Sequence, residues 1–175
     1  WFARSTDGGA TFGAASMLNN QAGLNDQFNP FLAVDETNGT VAVMYYDTVA
    51  DAGRKKTHVY YQSSVNDGAT WSAAMQVTTA QTDETGSGAD TGNQYGDYNG
   101  LSGIAGTFFP SWTDRRNGTN EEIWSAKITE GAPPVTYTVS GIAGTTGATV
   151  SAGSSSATSD ASSKYTIASL VAATY

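Results

Sequence analysis

The sequence predicts an all-β chain built from copies of one hairpin-centred unit. Three observations carry that expectation. Ser5-Thr6-Asp7-Gly8-Gly9-Ala10-Thr11-Phe12 returns as Ser64-Val65-Asn66-Asp67-Gly68-Ala69-Thr70-Trp71, and self-similarity at a long fixed period marks a fold made from one supersecondary unit. Charged residues are only 14% of the 175 residues, against roughly 25% in an ordinary soluble domain. Gly, Ser, Thr, Asn and aromatics take their place, as suits a turn-rich β protein. Finally, short apolar or aromatic runs are separated by turns containing Gly, Asn or Asp, the pattern of strands joined as hairpins.

The repeated octapeptide has a mechanical reading. Its Asp or Asn can bond backbone N–H groups two residues on, and its Ser and Thr do so more weakly. Gly9 and Gly68 supply positive φ without steric cost. Phe12 and Trp71 are expected to fold back as apolar plugs beneath the turns. Ser5, Asp7, Gly9, Thr11 and Phe12, with Ser64, Asn66, Gly68, Thr70 and Trp71, are therefore read as structural residues.

The elements follow in order. Trp1–Arg4 reads as a strand, the first octapeptide as its turn, and Ala14–Leu18 as a weak return strand. Phe28–Val34 is the next strand, with Pro30 acceptable near its start. Glu36-Thr37-Asn38-Gly39 is a hairpin turn, and Asn-Gly favours the primed types. Thr40–Tyr46 is apolar and β-branched, His58–Ser63 follows, and Ser72–Thr78 is the fourth strand of that set. A long polar loop, Thr79–Gln94, precedes a second set at Leu101–Ala105, Thr107–Thr113 and Glu122–Ile128. Gly131-Ala132-Pro133-Pro134 reads as a linker, because consecutive prolines are stiff and break strands. Beyond it Val135–Val139 alternates as a half-buried strand does, and Ala148–Ala152 and Lys164–Ile167 follow.

Both octapeptides resemble the Asp box of sialidase-like (BNR-repeat) β-propellers, Ser-x-Asp-x-Gly-x-Thr-Trp, with Phe12 for Trp in one copy and Asn66 for Asp in the other. Gly96-Asp97-Tyr98-Asn99-Gly100-Leu101 and Trp112-Thr113-Asp114-Arg115-Arg116-Asn117-Gly118 are similar to a run in final blades of that group. Thr158–Tyr175 resembles the end of carboxypeptidase-regulatory-like (prealbumin-like) β-sandwiches, with Ser163 and Ala173 where that family usually has Gly. The resemblances imply a partial sialidase-like β-propeller of about two to three four-stranded blades over residues 1–130, with Asp boxes at 5–12 and 64–71. They imply a linker at 131–134 and a small β-sandwich module over 135–175 that lacks its last strand. Two and a fraction blades cannot close a ring of four to eight, and would leave bare faces and an open edge. The chain is therefore expected to be a piece of a longer protein, or to complete its sheets with other chains.

Composition bounds the function. The net charge of −8 argues against nucleic-acid binding, which needs a basic face, and against anionic lipid. The absence of cysteine removes disulfides, thiol catalysis and Cys zinc sites. No run reaches the length of a transmembrane helix, so membrane insertion is not expected. The chain opens at Trp1 in what reads as a strand, as a mature product or fragment does. The resemblance implies a secreted or cell-surface protein whose partner is a glycan. Asn38-Gly39-Thr40 and Asn117-Gly118-Thr119 fit the glycosylation pattern.

Sialidases of this fold clamp a carboxylate with arginines, use an Asp as acid/base and a Tyr–Glu pair as nucleophile. Against that scheme the catalytic residues are not fixed, and the candidates are Asp97, Tyr98, Asp114 and Arg115, with Arg116 beside it for glycan contact. Each has a plainer reading. Asp97 caps a turn and Tyr98 packs between sheets, since neighbours on a strand face opposite ways. Arg115 and Arg116 sit in a turn after a strand with Asp114 available as partner, a loop ion pair of little energetic weight. His58, the single histidine, packs among tyrosines. Asp83, Glu84 and Asp90 form an acidic loop in which a calcium site is conceivable, since hard cations take clustered oxygens; no other cofactor is implied. The leading functional reading is a glycan-directed propeller, either a sialidase-like glycoside hydrolase or a glycan binder. Its alternative is a structural, adhesive or filament-forming extracellular protein without catalysis.

Overall fold

The strands pair antiparallel throughout, none of the sheets closes on itself, and no described residue is helical. This computed structural model describes residues 1–19, 23–90, 95–131 and 136–171. Pro133 and Pro134 of the expected linker, Val135, Gln94 and Ala173–Tyr175 lie outside the described residues. The chain divides into two compact units, Trp1–Gly131 and Ala132–Tyr175.

In the first unit, β1 (Gln27–Asp35), β2 (Thr40–Asp47), β3 (Lys56–Ser64) and β4 (Met75–Gln76) lie side by side in chain order. β5 (Thr82–Asp83) pairs with the start of β3. It interrupts the stretch expected to be wholly loop, and the fourth strand expected over Ser72–Thr78 shortens to Met75–Gln76. A second sheet holds β6 (Gly100–Ile104), β7 (Thr107–Asp114), β8 (Glu122–Ser125) and β9 (Ile128–Thr129). β8 and β9 both pair with β7, so they are one strand interrupted at Ala126 and Lys127. The edge strand β1 carries Pro30 and a register shift between Phe28 and Phe31, with Asn29 at φ 45. Bulges and prolines of this kind blunt an edge against further pairing.

The two sheets pack face to face. Ala42, Met44, Tyr46, Val59 and Tyr61 from the first meet Leu101, Phe108, Trp112 and Ile128 from the second. Tyr46 donates its hydroxyl to Thr113 O at 2.8 Å, so the buried phenol keeps a partner. On the other face of β2 and β3, Val43, Tyr45 and Tyr60 pack under Leu18, Trp71 and Ala74. Covering on both sides explains why Val41–Tyr46 is continuously apolar rather than alternating.

Two hairpin turns pin the sheets together, and they correct a sequence expectation. The β1–β2 loop has four residues between the paired Asp35 and Thr40, and of Asn38 and Gly39 only Gly39 has positive φ (77°). The expected primed Asn-Gly turn is therefore replaced by a loop around Asp35, whose carbonyl accepts from Asn38 N and Gly39 N and whose Oδ1 accepts from Thr37 N and Oγ1. The primed geometry sits instead at Ala105-Gly106 between β6 and β7, with φ 51° and 75°. Positive φ at Ala105 costs energy. Bonds from Ala105 N to Thr37 Oγ1 and from Gly106 N to Asp35 Oδ2, at 3.2 and 2.6 Å, offset it.

The strands expected at Trp1–Arg4 and Ala14–Leu18 reduce to one bridge, Phe2 to Ser16, and a bond from Gly13 N to Arg4 O. Their sequence has too few consecutive apolar residues to hold a longer ladder against solvent. In the second unit, β10 (Thr136–Ile142) pairs with β13 (Lys164–Val171), and β11 (Thr149–Ala152) with β12 (Ser155–Thr158). Ile167 and Leu170 are its buried apolar residues among those described. Ser163 takes φ 61°, the left-handed conformation that glycine adopts without strain.

Candidate functional site

The repeated turns match bond for bond. In the first, Ser5 Oγ donates to Asp7 Oδ1 (2.6 Å) and accepts from Gly9 N (2.8 Å), while Asp7 Oδ1 accepts from Thr11 N (2.9 Å). In the second, Ser64 Oγ donates to Asn66 Oδ1 (3.0 Å) and accepts from Gly68 N (2.9 Å), and Asn66 Oδ1 accepts from Thr70 N (2.9 Å). One bond reverses. Thr11 Oγ1 donates to Asp7 Oδ2, but Thr70 Oγ1 accepts from Asn66 Nδ2, because the second atom of an amide is a donor. Every polar group of these side chains faces inward to its own turn, which leaves them a mechanical role.

The turns also touch. Phe2 meets Trp71 edge to face with centroids 5.0 Å apart, and Arg4 NH1 donates to Asp67 O. Phe12 is the exception to the plug expectation. It is 66% exposed, while Trp71 is half-buried. Trp71 has the β2–β3 face to pack on; Phe12 has no described apolar layer beneath it.

Chemistry-bearing side chains gather elsewhere, where β7 ends. Asp114 is buried and accepts from Trp112 Nε1, Arg116 N, Arg116 Nε and Arg116 NH2. Burial opposes its ionisation, but the Arg116 and Trp112 bonds outweigh that and hold its carboxyl below the usual range. Of the two arginines expected to have Asp114 as a loop partner, Arg116 is the one that pairs with it. Arg116 also stacks on Trp124 at 3.9 Å, a cation–π contact. Arg115 is 4% exposed and turns away from Asp114. Its NH1 donates to Asp83 O and its NH2 to Ser87 O and Gly118 O, while its backbone N donates to Thr82 Oγ1. A Cβ on Gly86 or Gly88 would stand 3.1 or 3.3 Å from the guanidinium, so small residues there leave it room.

Around these groups opens a cleft of about 470 Å³, lined by Lys56, Gln81, Asp83, Arg115, Arg116 and the turns at Gly86-Ser87 and Gly118. Gln81 Nε2 and Arg115 Nε are buried there without an acceptor. Three of the chain's eight cationic residues meet in this cleft.

The other candidates separate. The expected calcium ligands do not converge, and no group of three or more such side chains exists among the described residues. Asp83 Oδ1 is taken by Thr85 N and Oγ1, Glu84 Oε1 by Thr82 Oγ1, and Asp90 N donates to Glu121 Oε1. Burial raises the Glu84 carboxyl above its ordinary range. Tyr98 is 86% exposed and does not pack between sheets; Asp97 is exposed beside it, and no hydrogen bond joins the two. The packing expectation failed because Asn99, not Tyr98, turns inward, donating to Asn29 O at 2.8 Å. His58 lies 2.7 Å from Thr78 Oγ1 through Nδ1, and burial lowers its pKa. Asn38 Oδ1 accepts from Thr40 N, and the exposed Asn117 caps Thr119 N and Asn120 N.

The molecule is thus an all-β protein of open antiparallel sheets with a cation-lined cleft at one sheet end. No protein-family model matches the chain, and no curated protein matches it. Sequence reasoning missed Lys56 and Gln81 as cleft residues, because they carry no local motif, whereas Arg115 and Arg116 were legible together beside Asp114.

Proposed function

We propose that this chain is a stretch of a sialidase-like β-propeller followed by a prealbumin-like module, in a secreted or surface-exposed protein, and that it binds an acidic glycan without cutting it. The carrying observation is the convergence of Lys56, Arg115 and Arg116 in one cleft of a chain with net charge −8. An anion seated there finds the solvated ammonium of Lys56, with the Arg115 and Arg116 guanidiniums behind it adding positive potential. The matched turns and the stacked sheets support the propeller reading. The non-catalytic reading is supported by the exposed Tyr98, which has no base bonded to it, and by Arg115, whose terminal nitrogens are committed to carbonyls. A nucleophile needs a base within hydrogen-bond reach.

Titration with sulfated and sialylated oligosaccharides tests this. Binding is expected to weaken with salt, and Lys56→Glu is expected to weaken it about tenfold. A fluorogenic sialoside is expected to remain intact. Turnover of the sialoside, or binding indifferent to Lys56→Glu, overturns the reading.

A second reading, assembly through open sheet faces, is favoured by the outer face of β6–β8. Ile104, Phe109 and Ile123 stand exposed there, Ile123 at 75%. Apolar groups clustered on one sheet face mark a contact surface.

A further inference from the structure

We infer that a second cleft, between residues 1–19 and the outer face of β1 and β2, binds a single neutral sugar ring. It shares with the proposal above only the premise that the ligand is a glycan. The cleft holds about 300 Å³, the lower end of the roughly 300–1,000 Å³ typical of small-molecule sites, which suits one ring and not a chain. Its walls are mainly aromatic and aliphatic, with Trp1, Phe28, Leu32 and Tyr45 among them, and it carries two carboxamides, Asn19 and Gln27.

The walls are held before any ligand arrives. Gln62 is 1% exposed; its Oε1 accepts from the Tyr45 hydroxyl, and its Nε2 donates to Leu18 O and Ser72 O. That network occupies the Tyr45 hydroxyl and fixes its buried ring, 5% exposed, in the floor of the cleft. It also anchors the chain immediately before Asn19. Fixed walls reduce the ordering cost of binding.

The lining narrows the ligand class. Among the described residues no charged side chain lines the cleft, so an ionic ligand would lose water without gaining a side-chain counter-charge. A wholly apolar ligand would bury the Asn19 amide unpaired, which is unfavourable. A ring with an apolar C–H face and hydroxyls at its edge satisfies both conditions. The exposed Trp1 ring takes the face, and the Asn19 carboxamide offers a donor and an acceptor to the hydroxyls.

The test is protein-observed NMR on the whole chain, read at the Trp1 indole and the Asn19 side-chain amide, with methyl glycosides of glucose, galactose and N-acetylglucosamine, indole and sodium sulfate as probes. At least one glycoside is expected to bind at millimolar concentration and to perturb Trp1, with indole weaker and sulfate silent at this cleft. Asn19→Ala is expected to weaken the glycoside about fivefold or more. Leu32→Arg, at a half-exposed edge-strand position, is expected to abolish binding while circular dichroism stays unchanged. The inference falls if no glycoside binds, if indole binds better than every glycoside, or if Asn19→Ala and Leu32→Arg leave glycoside binding intact. Retained binding of sulfated oligosaccharide alongside any of these results leaves the earlier proposal standing, so the two fail separately.

Discussion

At the residue scale, the informative comparison is Asp7 against Asn66. The two occupy one position in one bond pattern, yet only Asp7 titrates. Bonds from Ser5 and then Thr11 lower its pKa to about 2. A carboxyl depressed on folding supports its turn above its ordinary value of 3.8 and loses that support as pH falls through about 2. The amide resonance of Thr11 is therefore expected to move with a midpoint near pH 2, while that of Thr70 stays still; equal movement of both would contradict the bond assignment. Gly68 is the least replaceable residue of either turn. It has φ 76°, and a Cβ there would stand 2.7 Å from the Phe2 ring. Gly68→Ala is expected to destabilise by about 1–3 kcal/mol, read from denaturant midpoints. Glu84 behaves oppositely to Asp7. Burial raises its carboxyl, so the folded state is favoured while it is protonated and penalised as pH rises through the raised value. Glu84→Gln, which keeps the Thr82 partner, is expected to raise stability at neutral pH. Thermal melts across pH should show that gain vanish below the ordinary glutamate value of 4.5.

At the element scale, strands are held where both faces are covered and thin out where they are not. β2 is buried almost throughout, β8 is exposed at every residue, and β4 reaches only two residues. The loop carrying β5 is organised less by its own sequence than by Arg115, which bonds Asp83 O and Ser87 O. Arg115→Lys removes the fork that reaches these carbonyls together. It is expected to cost about 1.5–3 kcal/mol and to speed hydrogen exchange at Thr82–Ser87 more than at Met44–Tyr46. Uniform acceleration of both segments would mean that Arg115 holds no particular element. The sequence announced most strands of the first unit through apolar runs. It hid β5 and β12, because a two-residue strand and a run of Ser, Ala and Thr have no periodicity to detect.

At the scale of the whole molecule, apolar surface remains uncovered. Phe109 and Ile123 face outward on the second sheet. Sedimentation is expected to show concentration-dependent association that Ile123→Lys reduces, and a monomer at all concentrations would remove the assembly reading. The order of strands, the self-bonded turns and the acidic, cysteine-free composition were legible in the chain alone, because they depend on local chemistry: side-chain-to-backbone bonds within an octapeptide and runs of β-formers. The candidate site was legible only in part. Asp114, Arg115 and Arg116 were legible as a group, but not which arginine pairs with Asp114, since the two carry the same charge and only packing decides which one turns toward it. Lys56, Gln81 and Arg115 are far apart in sequence and meet because β5 pairs with β3 and β7 ends beside them. The exposure of Phe12 and Tyr98 was likewise decided by whether another layer lay above. By itself the sequence determined the all-β character and the geometry of its repeated turns. Only the tertiary structure decided which charges share a cleft and which aromatics stay in water, because burial and long-range pairing belong to no single stretch of chain.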